Sequence, residues 1–236
     1  MLTLFFVDDL PQQIGQIYEF DSEDANHAVR VLRMKAGDVF MLSDGKGSWS
    51  QVKTFAVKKK SLEVEVVASG FQDALPITIT VVQAIPKGDR AKEAIELLTE
   101  AGVDRIIPWQ AARSIGKGSE KFAVTAREAS KQSRRLRIPE IAEIATTDQI
   151  CQVIQDADSA VVFHESSTNQ LSSIIGSQDI SNVVIVIGPE GGITPEELEA
   201  FTQAGASVAL MGRPILRSAH AGIAAVAAIS ALLKVW

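Results

Sequence analysis

The glycine-rich loop Gly188–Gly192 (GPEGG) is the segment of the chain best suited to binding a ligand. It follows an apolar run, Val183–Ile187, that is typical of a buried strand. Thr194, Pro195 and Glu197 then have the spacing of a helix start with a capping box. Glycines let backbone groups approach a ligand closely, and open α/β sheets bind ligands at the carboxyl ends of their strands. The pattern predicts a ligand loop, with an ordinary tight turn as the alternative. It matches neither the GxGxxG pattern nor the P-loop.

A second loop of the same kind, Leu210–Arg217 (LMGRPILR), follows another short apolar run. It leads into Ala219–Leu233, which is almost entirely alanine and aliphatic. A helix that is apolar on nearly all sides must be buried, either in the core or in a subunit interface. Arg217 lies between the loop and this helix, so a role in a site and a solvated cap are equally good interpretations.

Cations mark a third segment, Gln83–Arg90 (QAIPKGDR), which also leaves a strand and enters a helix. Asp89 has the residue type of the helix cap. Lys87 and Arg90 then lie at a helix start, where the helix dipole disfavours positive charge. Their position suggests that an anion such as phosphate binds there, and solvated side chains are the alternative.

The chain is acidic, with a net charge of −6, but its charge is uneven. The segment Arg113–Arg137 has eight basic and two acidic residues. Helical spacing predicts one charged stripe, formed by Arg127, Lys131, and Arg134 or Arg135. The N-terminal helix adds Arg30 and Arg33. Because so little acid compensates this charge, we expect phosphate contact rather than a merely solvated face.

Two kinds of architecture must position these segments. The first seventy or so residues have short alternating runs (Val39–Leu42, Trp49–Val57 and Leu62–Val67) that predict a small β-barrel or sandwich. One helix is expected within it, from Asp21 to Arg33. After a predicted linker at Gly70–Pro76, apolar strands alternate with helices such as 89–101 and 122–135. This alternation predicts a mostly parallel sheet covered by helices on both faces.

Several classes of protein are excluded or disfavoured by composition. The single cysteine, Cys151, excludes an intramolecular disulfide and a cysteine-rich metal site. The three histidines (His27, His164 and His220) have no zinc-binding spacing. No apolar run is long enough to span a bilayer. We therefore expect a cytoplasmic protein with no metal and no membrane association.

The order and spacing of many segments resemble the ribosomal RNA small subunit methyltransferase E family, in the SPOUT superfamily. The resemblance spans nearly the whole chain. It is carried by Phe5–Val7, His27–Arg33, Gly37–Asp38, Gln83–Arg90, Glu100–Val103, Arg113–Ser114, Glu128–Ala129, Gln132–Arg134, Pro139, Ile187–Gly192 and Ile215–Arg217. It implies methylation of uridine N3 in 16S (small-subunit) ribosomal RNA, with S-adenosylmethionine (SAM) as cofactor.

The resemblance also implies an architecture and a set of sites. A PUA-like, RNA-binding β-barrel is expected over residues 1–72, and a SPOUT α/β domain with a trefoil knot over 73–236, in a homodimer. The expected cofactor-binding residues are Ile187, Gly188, Pro189, Glu190, Gly191, Gly192, Leu210, Met211, Gly212, Ile215, Leu216 and Arg217. The expected RNA-binding residues are Arg30, Arg33, Lys87, Arg90, Arg127, Lys131, Arg134 and Arg135.

Methylation at N3 requires loss of a proton from a poorly nucleophilic nitrogen. Glu190 and Glu165 are candidate proton acceptors. Charge stabilisation by arginine is favoured, and the candidate cations are Arg217, Arg90 and Arg113. The catalytic prediction is therefore Arg217, Glu190 and Arg113.

One departure from the family pattern is Ser218-Ala219-His220, where relatives have glutamate or threonine. We interpret His220 as a buried histidine satisfied by the backbone. Two other functions remain open. One is a non-catalytic RNA-binding or ribosome-binding protein on the same scaffold, and the other is an unrelated nucleotide-using α/β enzyme.

Overall fold

The computed structural model describes residues 2–176 and 180–236. The chain forms two compact units. The first contains the residues up to Ala74 together with Ser130–Ile138, and the second contains Leu75–Ala129 with Pro139–Trp236. In the described part of the chain, no helix combines the length and the apolar character needed to cross a bilayer.

The first unit is built on a five-stranded sheet in the order β1-β3-β4-β5-β2. Its strands are β1 (Leu4–Phe6), β2 (Ile17–Phe20), β3 (Val39–Ser43), β4 (Ser48–Val57) and β5 (Leu62–Phe71). β1 and β3 are parallel and the other pairs are antiparallel. Alternate side chains point inward, and Phe5, Phe20 and Phe40 meet with ring centroids 5.3–5.8 Å apart.

The helix α1 (Glu23–Arg30) of the first unit is shorter than the predicted 21–33. The predicted cap is confirmed, because the Ser22 hydroxyl accepts a hydrogen bond from the Ala25 N–H. The helix ends early because Arg33 has a φ of 54°. The Met34 N–H then donates back to the Ala28 carbonyl at 3.1 Å, which closes the last turn.

The segment Ser130–Ile138 packs with the first unit, although it follows the expected boundary at residue 72 by almost sixty positions. The Gly47 N–H donates to the Leu136 carbonyl, and the Ile138 N–H donates to the Gly45 carbonyl. The Arg137 guanidinium donates to the Gln72 carbonyl at 2.8 and 3.1 Å. The segment therefore pairs with the β3–β4 turn much as an additional short strand would.

The second unit contains a six-stranded sheet in the order β11-β9-β10-β6-β7-β8. Its strands are β6 (Thr78–Ala84), β7 (Arg105–Trp109), β8 (Glu140–Ile141), β9 (Ser159–Phe163), β10 (Asn182–Ile187) and β11 (Ser207–Ala209). Every adjacent pair is parallel, which confirms the predicted parallel sheet. All six carboxyl ends therefore lie along one edge.

The described residues form six further helices: α2 (Asp89–Glu100), α3 (Phe122–Ser133), α4 (Thr147–Gln155), α5 (Leu171–Ile174), α6 (Pro195–Gln203) and α7 (Ser218–Leu232). The prediction that α3 continues to Arg135 was wrong. Arg134 adopts a φ of 59° just after Ser133, so Arg134 and Arg135 do not continue the helical stripe. The helix α4 was not predicted, although a capping box formed by Thr146 and Gln149 marks its start.

Candidate active site

A cavity of about 470 Å³ opens at the carboxyl edge of the parallel sheet, within the second unit. Its walls come from the loops after β9, β10 and β11 and from the start of α7. All twelve predicted cofactor-binding residues line it: Ile187, Gly188, Pro189, Glu190, Gly191, Gly192, Leu210, Met211, Gly212, Ile215, Leu216 and Arg217. Arg113 and Glu165 line it as well, whereas Lys87 and Arg90 do not.

The loop after β10 packs tightly around two of its glycines. A Cβ on Gly188 would lie 2.6 Å from Ile193 Cγ1, and a Cβ on Gly191 would lie 3.0 Å from Arg113 Cβ. Gly192 has a φ of 77°, a conformation that other residues rarely adopt. The sequence therefore needs glycine here for close packing at two positions and for backbone conformation at a third.

The predicted capping box after this loop is confirmed. The Thr194 N–H donates to the Glu197 carboxylate at 2.9 Å, and the Glu197 N–H donates to the Thr194 hydroxyl at 3.2 Å. The buried Glu197 carboxylate also accepts a 2.7 Å hydrogen bond from the Ala112 N–H. This third bond fixes the loop after β7, which carries Arg113, against the start of α6.

The Arg113 guanidinium is aimed at the backbone of the glycine loop and donates to the Gly191 carbonyl at 3.0 Å. Nearby, the pKa of the Glu196 carboxyl is lowered by hydrogen bonds from its own backbone N–H and from the Thr194 hydroxyl. The positive charge of Arg113 contributes further to this lowering. Arg113 thus acts on the glycine loop through a hydrogen bond and on the first turn of α6 through its charge.

The Glu190 side chain reaches the start of α2. Its carboxylate lies 3.4 Å from the Lys87 N–H and 3.8 Å from the Arg90 guanidinium. The prediction that Asp89 caps α2 was wrong, because the cap is Gly88, with a φ of 62°, and Asp89 is the first helical residue. The predicted anion beside Arg90 is supplied by the protein itself, as the carboxylate of Glu190, which meets Lys87 only at its backbone N–H.

The loop after β11 is largely exposed, including Ile215 at 83%. Arg217 is the N-cap residue of α7, and its carbonyl accepts hydrogen bonds from the N–H groups of His220 and Ala221. Its guanidinium has no hydrogen bond or ion pair with any residue that the structure describes. Arg217 is therefore a cation beside the cavity with its donors available.

The end of β9 and the loop after it contribute Phe163, His164 and Glu165 to the cavity, and only Glu165 was a predicted site residue. The Ser166 N–H lies 3.2 Å from His164 Nδ1, and the Ser166 hydroxyl lies 2.8 Å from it. Because a backbone N–H can only donate, Nδ1 is assigned as an acceptor, which places the proton of the neutral ring on Nε2. His164 thus presents a donor near the cavity.

The interpretation of His220 as a buried histidine was wrong. Its side chain is about half exposed, and its Nε2 lies 3.2 Å from a Glu93 carboxylate oxygen on α2. It points away because α7 presents Ser218, and not His220, to the loop after β10. The Ser218 hydroxyl donates to the Gly188 carbonyl at 2.7 Å.

The residues predicted to bind RNA divide between the two units. Arg30, Arg33, Lys131, Arg134 and Arg135 belong to the first unit, and Lys87, Arg90 and Arg127 belong to the second. Lys131 has a partner within its unit, because its ammonium lies 2.7 Å from Asp24 and its side chain is only 11% exposed. Within the described ranges, no three metal-ligating side chains cluster as a cation site.

The chain matches two family models. Residues 73–230 match the RNA methyltransferase domain, and residues 20–67 match the RNA methyltransferase PUA domain. The protein named ribosomal RNA small subunit methyltransferase E from Mycobacterium bovis is 34% identical over 99% of this chain and 93% of that protein. The chain belongs to the ribosomal RNA small subunit methyltransferase E family.

Other relatives agree with this assignment. The family member of the same name from Bacillus subtilis is 32% identical, over 96% of this chain and 95% of that protein. The fold is also shared with a ribosomal RNA small subunit methyltransferase E from Neisseria gonorrhoeae, whose crystal structure contains S-adenosyl methionine. That structure has a TM-score of 0.86 at 24% identity and covers 98% of each chain. The expected α/β domain with a PUA-like domain before it is therefore confirmed.

Proposed function

We propose that this chain transfers a methyl group from SAM to N3 of a uridine in 16S ribosomal RNA, and that the RNA is methylated within the small ribosomal subunit. The observation that carries the proposal is the convergence of the two predicted loops, Gly188–Gly192 and Leu210–Arg217, on one cavity of about 470 Å³. Pockets for small ligands have volumes of about 300–1,000 Å³. Membership of the family and the SAM-bound relative from Neisseria gonorrhoeae support the choice of cofactor.

The residues present fit this cofactor. Apolar side chains such as Leu210, Met211 and Ile215 suit an adenine ring. At Gly188 and Gly191 the bare backbone lies against Ile193 and Arg113, and a Cβ at either position would crowd these neighbours. The cavity also has both signs of charge, as the zwitterionic amino-acid end of SAM requires.

When bound, SAM supplies a methyl group on a positively charged sulfur. The chain has to hold the uracil ring so that N3 is in line with that methyl group. It also has to favour loss of the N3 proton, which creates negative charge on the ring. A cation beside the cavity with unused hydrogen-bond donors can stabilise this negative charge, and Arg217 is such a cation.

The other two predicted catalytic residues are already engaged. The Arg113 guanidinium donates to the Gly191 carbonyl, so we assign it the task of holding the loop. The Oε1 atom of Glu190 faces the Lys87 backbone N–H and the Arg90 guanidinium, which leaves Oε2 as the oxygen that can accept the N3 proton. Glu165 also lines the cavity and is the second candidate acceptor.

We assign RNA contact first to the exposed arginines of the first unit, Arg30, Arg33 and Arg134, because phosphate contact needs an accessible cation. Arg135, Arg127, Lys87 and Arg90 remain predicted contacts. Lys131 is the weakest of the set, because Asp24 already neutralises it. The target uridine has to leave its stack to reach a cavity of this size.

A homodimer in the cytoplasm is the assembly we propose, and the expected trefoil knot remains a prediction. The helix α7 has no charged residue from Ser218 to Leu232, yet Ala228, Ala231 and Leu232 are exposed. Such an apolar strip is costly to leave in water. A second copy of the chain would cover it.

The proposed reaction is tested with labelled SAM and small ribosomal subunits that lack the modification. Digestion to nucleosides should place the label in 3-methyluridine. Arg217→Ala should lower the rate of methyl transfer roughly 100-fold, because removing a donor to developing charge has effects of that order. Arg213→Ala is the matched control, because Arg213 is exposed on the same loop but does not line the cavity.

Three results would count against the proposal. Label in a different nucleoside would exclude N3 as the target. RNA binding without SAM binding would instead support a non-catalytic RNA-binding or ribosome-binding protein. Equal rates for Arg217→Ala and Arg213→Ala would exclude Arg217 as the stabilising cation.

A further inference from the structure

The side chains of Gln83 and Ser218 are buried beside the cavity, and the role argued for them rests on the proposed function of that cavity. Gln83 is the next-to-last residue of β6 and is 1% exposed. In the sheet it is the register partner of Ile187, the last residue of β10. Its amide therefore lies beside the point where the chain enters the loop Gly188–Gly192.

Two hydrogen bonds connect this amide to the loop. Gln83 Nε2 donates to the Ser218 hydroxyl at 2.9 Å, and this hydroxyl donates to the Gly188 carbonyl at 2.7 Å. The amide group is a donor through Nε2, so the serine oxygen accepts from it and its single proton is directed to the carbonyl. Both hydrogen bonds are therefore donated in the same direction, from β6 to α7 and from α7 to the loop.

Ser218 does not use its hydroxyl as serine at a helix start commonly does. Serine in such a place usually accepts a hydrogen bond from an N–H group of the first turn. Here it is the first residue of α7, the N-cap Arg217 has no side-chain cap bond, and the serine proton goes to Gly188 in another loop. Ser218 as a whole is only 7% exposed, so water does not compete freely with its hydroxyl for the Gly188 carbonyl.

The packing of α7 favours this contact. Gly222 lies one turn after Ser218, and a Cβ there would be 2.9 Å from Leu98 Cδ2 and 3.2 Å from Gln83 Oε1. The absence of a side chain at this position lets the helix approach the end of β6 closely. Gln83 Oε1 has no hydrogen-bond partner among the described residues, so the amide is used at this position for its N–H groups.

We propose that Gln83 and Ser218 are positioning residues that orient the Gly188 peptide and so set the shape of the SAM-binding loop. Ser218 also lines the cavity, but its hydroxyl proton is used on the Gly188 carbonyl, so its role is exerted through that peptide. Gly188 cannot be held by its own side chain, and the next residue, Pro189, has no N–H with which to fix the peptide from the other side. The serine bond at the Gly188 carbonyl therefore limits rotation of that peptide, and loop shape in turn limits SAM affinity.

The test compares Ser218→Thr with Ser218→Val, because these two side chains have nearly the same volume and only threonine keeps the hydroxyl. Calorimetry should show that Ser218→Val binds SAM roughly tenfold more weakly than Ser218→Thr, the size expected for a buried hydrogen bond. In kinetics, the KM for SAM should rise by a similar factor, whereas kcat at saturating SAM and the KM for RNA stay within about twofold. A general loss of structure would lower kcat as well.

Two further variants make the test specific. Ser230→Ala makes a similar change in a serine of the same helix that is fully buried and whose hydroxyl has no partner among the described residues, so SAM affinity should not change. Gln83→Met removes the first donor. If the two bonds act as one chain, the double variant Gln83→Met, Ser218→Val should bind SAM no more weakly than Ser218→Val alone.

The outcomes separate this inference from the proposed function. If the wild-type chain binds no SAM, the proposed function fails. If the wild type binds SAM and Ser218→Val binds it equally well, the positioning role is overturned. Hydrogen exchange measured without SAM tests the loop itself, independently of the ligand. The amides of Gly191 and Gly192 should exchange faster in Ser218→Val than in Ser218→Thr, and equal rates would overturn the inference.

Discussion

Two arginines, Arg33 and Arg134, have left-handed backbone conformations. Replacing either with glycine should weaken RNA binding without lowering the stability of the fold. Arg134 has a φ of 59° and Arg33 a φ of 54°. Each lies just beyond the end of a helix. The N–H of the next residue donates back into the helix, from Arg135 to Ser130 at 2.9 Å and from Met34 to Ala28 at 3.1 Å. Glycine is the usual residue at such a helix end.

The stability change follows from the backbone. An L-residue in the left-handed region costs about 1–2 kcal/mol, and glycine removes that cost. Glycine also makes the unfolded chain more flexible, which costs about 0.4–1 kcal/mol of stability. Arg134→Gly and Arg33→Gly should therefore unfold with a free energy equal to that of the wild type or up to about 1.6 kcal/mol higher. Arg134→Ala keeps the strained backbone and gains nothing.

The effect on RNA should be the opposite. Both side chains are exposed, and neither guanidinium has a hydrogen bond or ion pair with the residues described. If each neutralises one phosphate, its loss should weaken binding and reduce the slope of log K against log salt by about 0.7–0.9. Fluorescence anisotropy with a small-subunit ribosomal RNA fragment, at several salt concentrations, measures both quantities, and urea unfolding measures stability.

The control is Arg105→Ala, which removes the same charge from an arginine whose Nε donates to Glu140 at 3.1 Å. It should leave the salt slope unchanged. Wild-type RNA affinity and slope in both glycine variants would refute the assignment of Arg33 and Arg134 to RNA. A marked loss of stability in those variants would refute the backbone argument.

Three further predictions concern the second unit. Gly191→Val should weaken SAM binding at least tenfold in calorimetry, because a Cβ there would lie 3.0 Å from Arg113 Cβ; unchanged affinity would contradict the loop assignment. Asp158 has a lowered pKa, first because of the Ser181 hydroxyl and then because of N–H groups of Ser181 and Asn182. Its stabilising contribution is therefore present above the pKa of the unfolded chain and is lost as pH falls through the lower folded pKa. Asp158→Asn should be less stable than the wild type at neutral pH in urea unfolding, and this difference should disappear in acid; a constant difference would contradict the assignment. Phe201→Ala should lose about 3–5 kcal/mol of unfolding free energy, because Phe201 is fully buried edge-on against Trp109 at 5.1 Å; a loss below about 1 kcal/mol would show that this contact is not part of the core.

Much of the secondary structure was predictable because its signals are local. The run 183–187 lies within β10, and the Thr194 and Glu197 capping box forms as expected. Errors occurred where one residue takes an unusual backbone conformation. Arg33 and Arg134 end their helices early, and Gly88 replaces Asp89 as the cap of α2. Residue type gives little warning that an arginine will adopt a positive φ.

The candidate site was predictable to the extent that it is made of loops with their own signatures. The sequence analysis found the loops after β10 and β11 because glycine and proline mark them. It missed His164 because the loop after β9 has no such pattern. It also misjudged His220, because which face of α7 meets the loop after β10 depends on packing and not on composition.

The sequence by itself determined the local elements, the two ligand loops and the resemblance to the family, since these depend on neighbouring residues and on motif order. Only the tertiary structure decided the order of the strands. Because β9 lies between β10 and β11, His164 and Glu165 join the cavity, although they are separated from both loops along the chain. Likewise, only the pairing of Gln83 with Ile187 and the close approach of α7 bring Ser218 to Gly188. These contacts join residues from distant parts of the chain, and no local pattern specifies them.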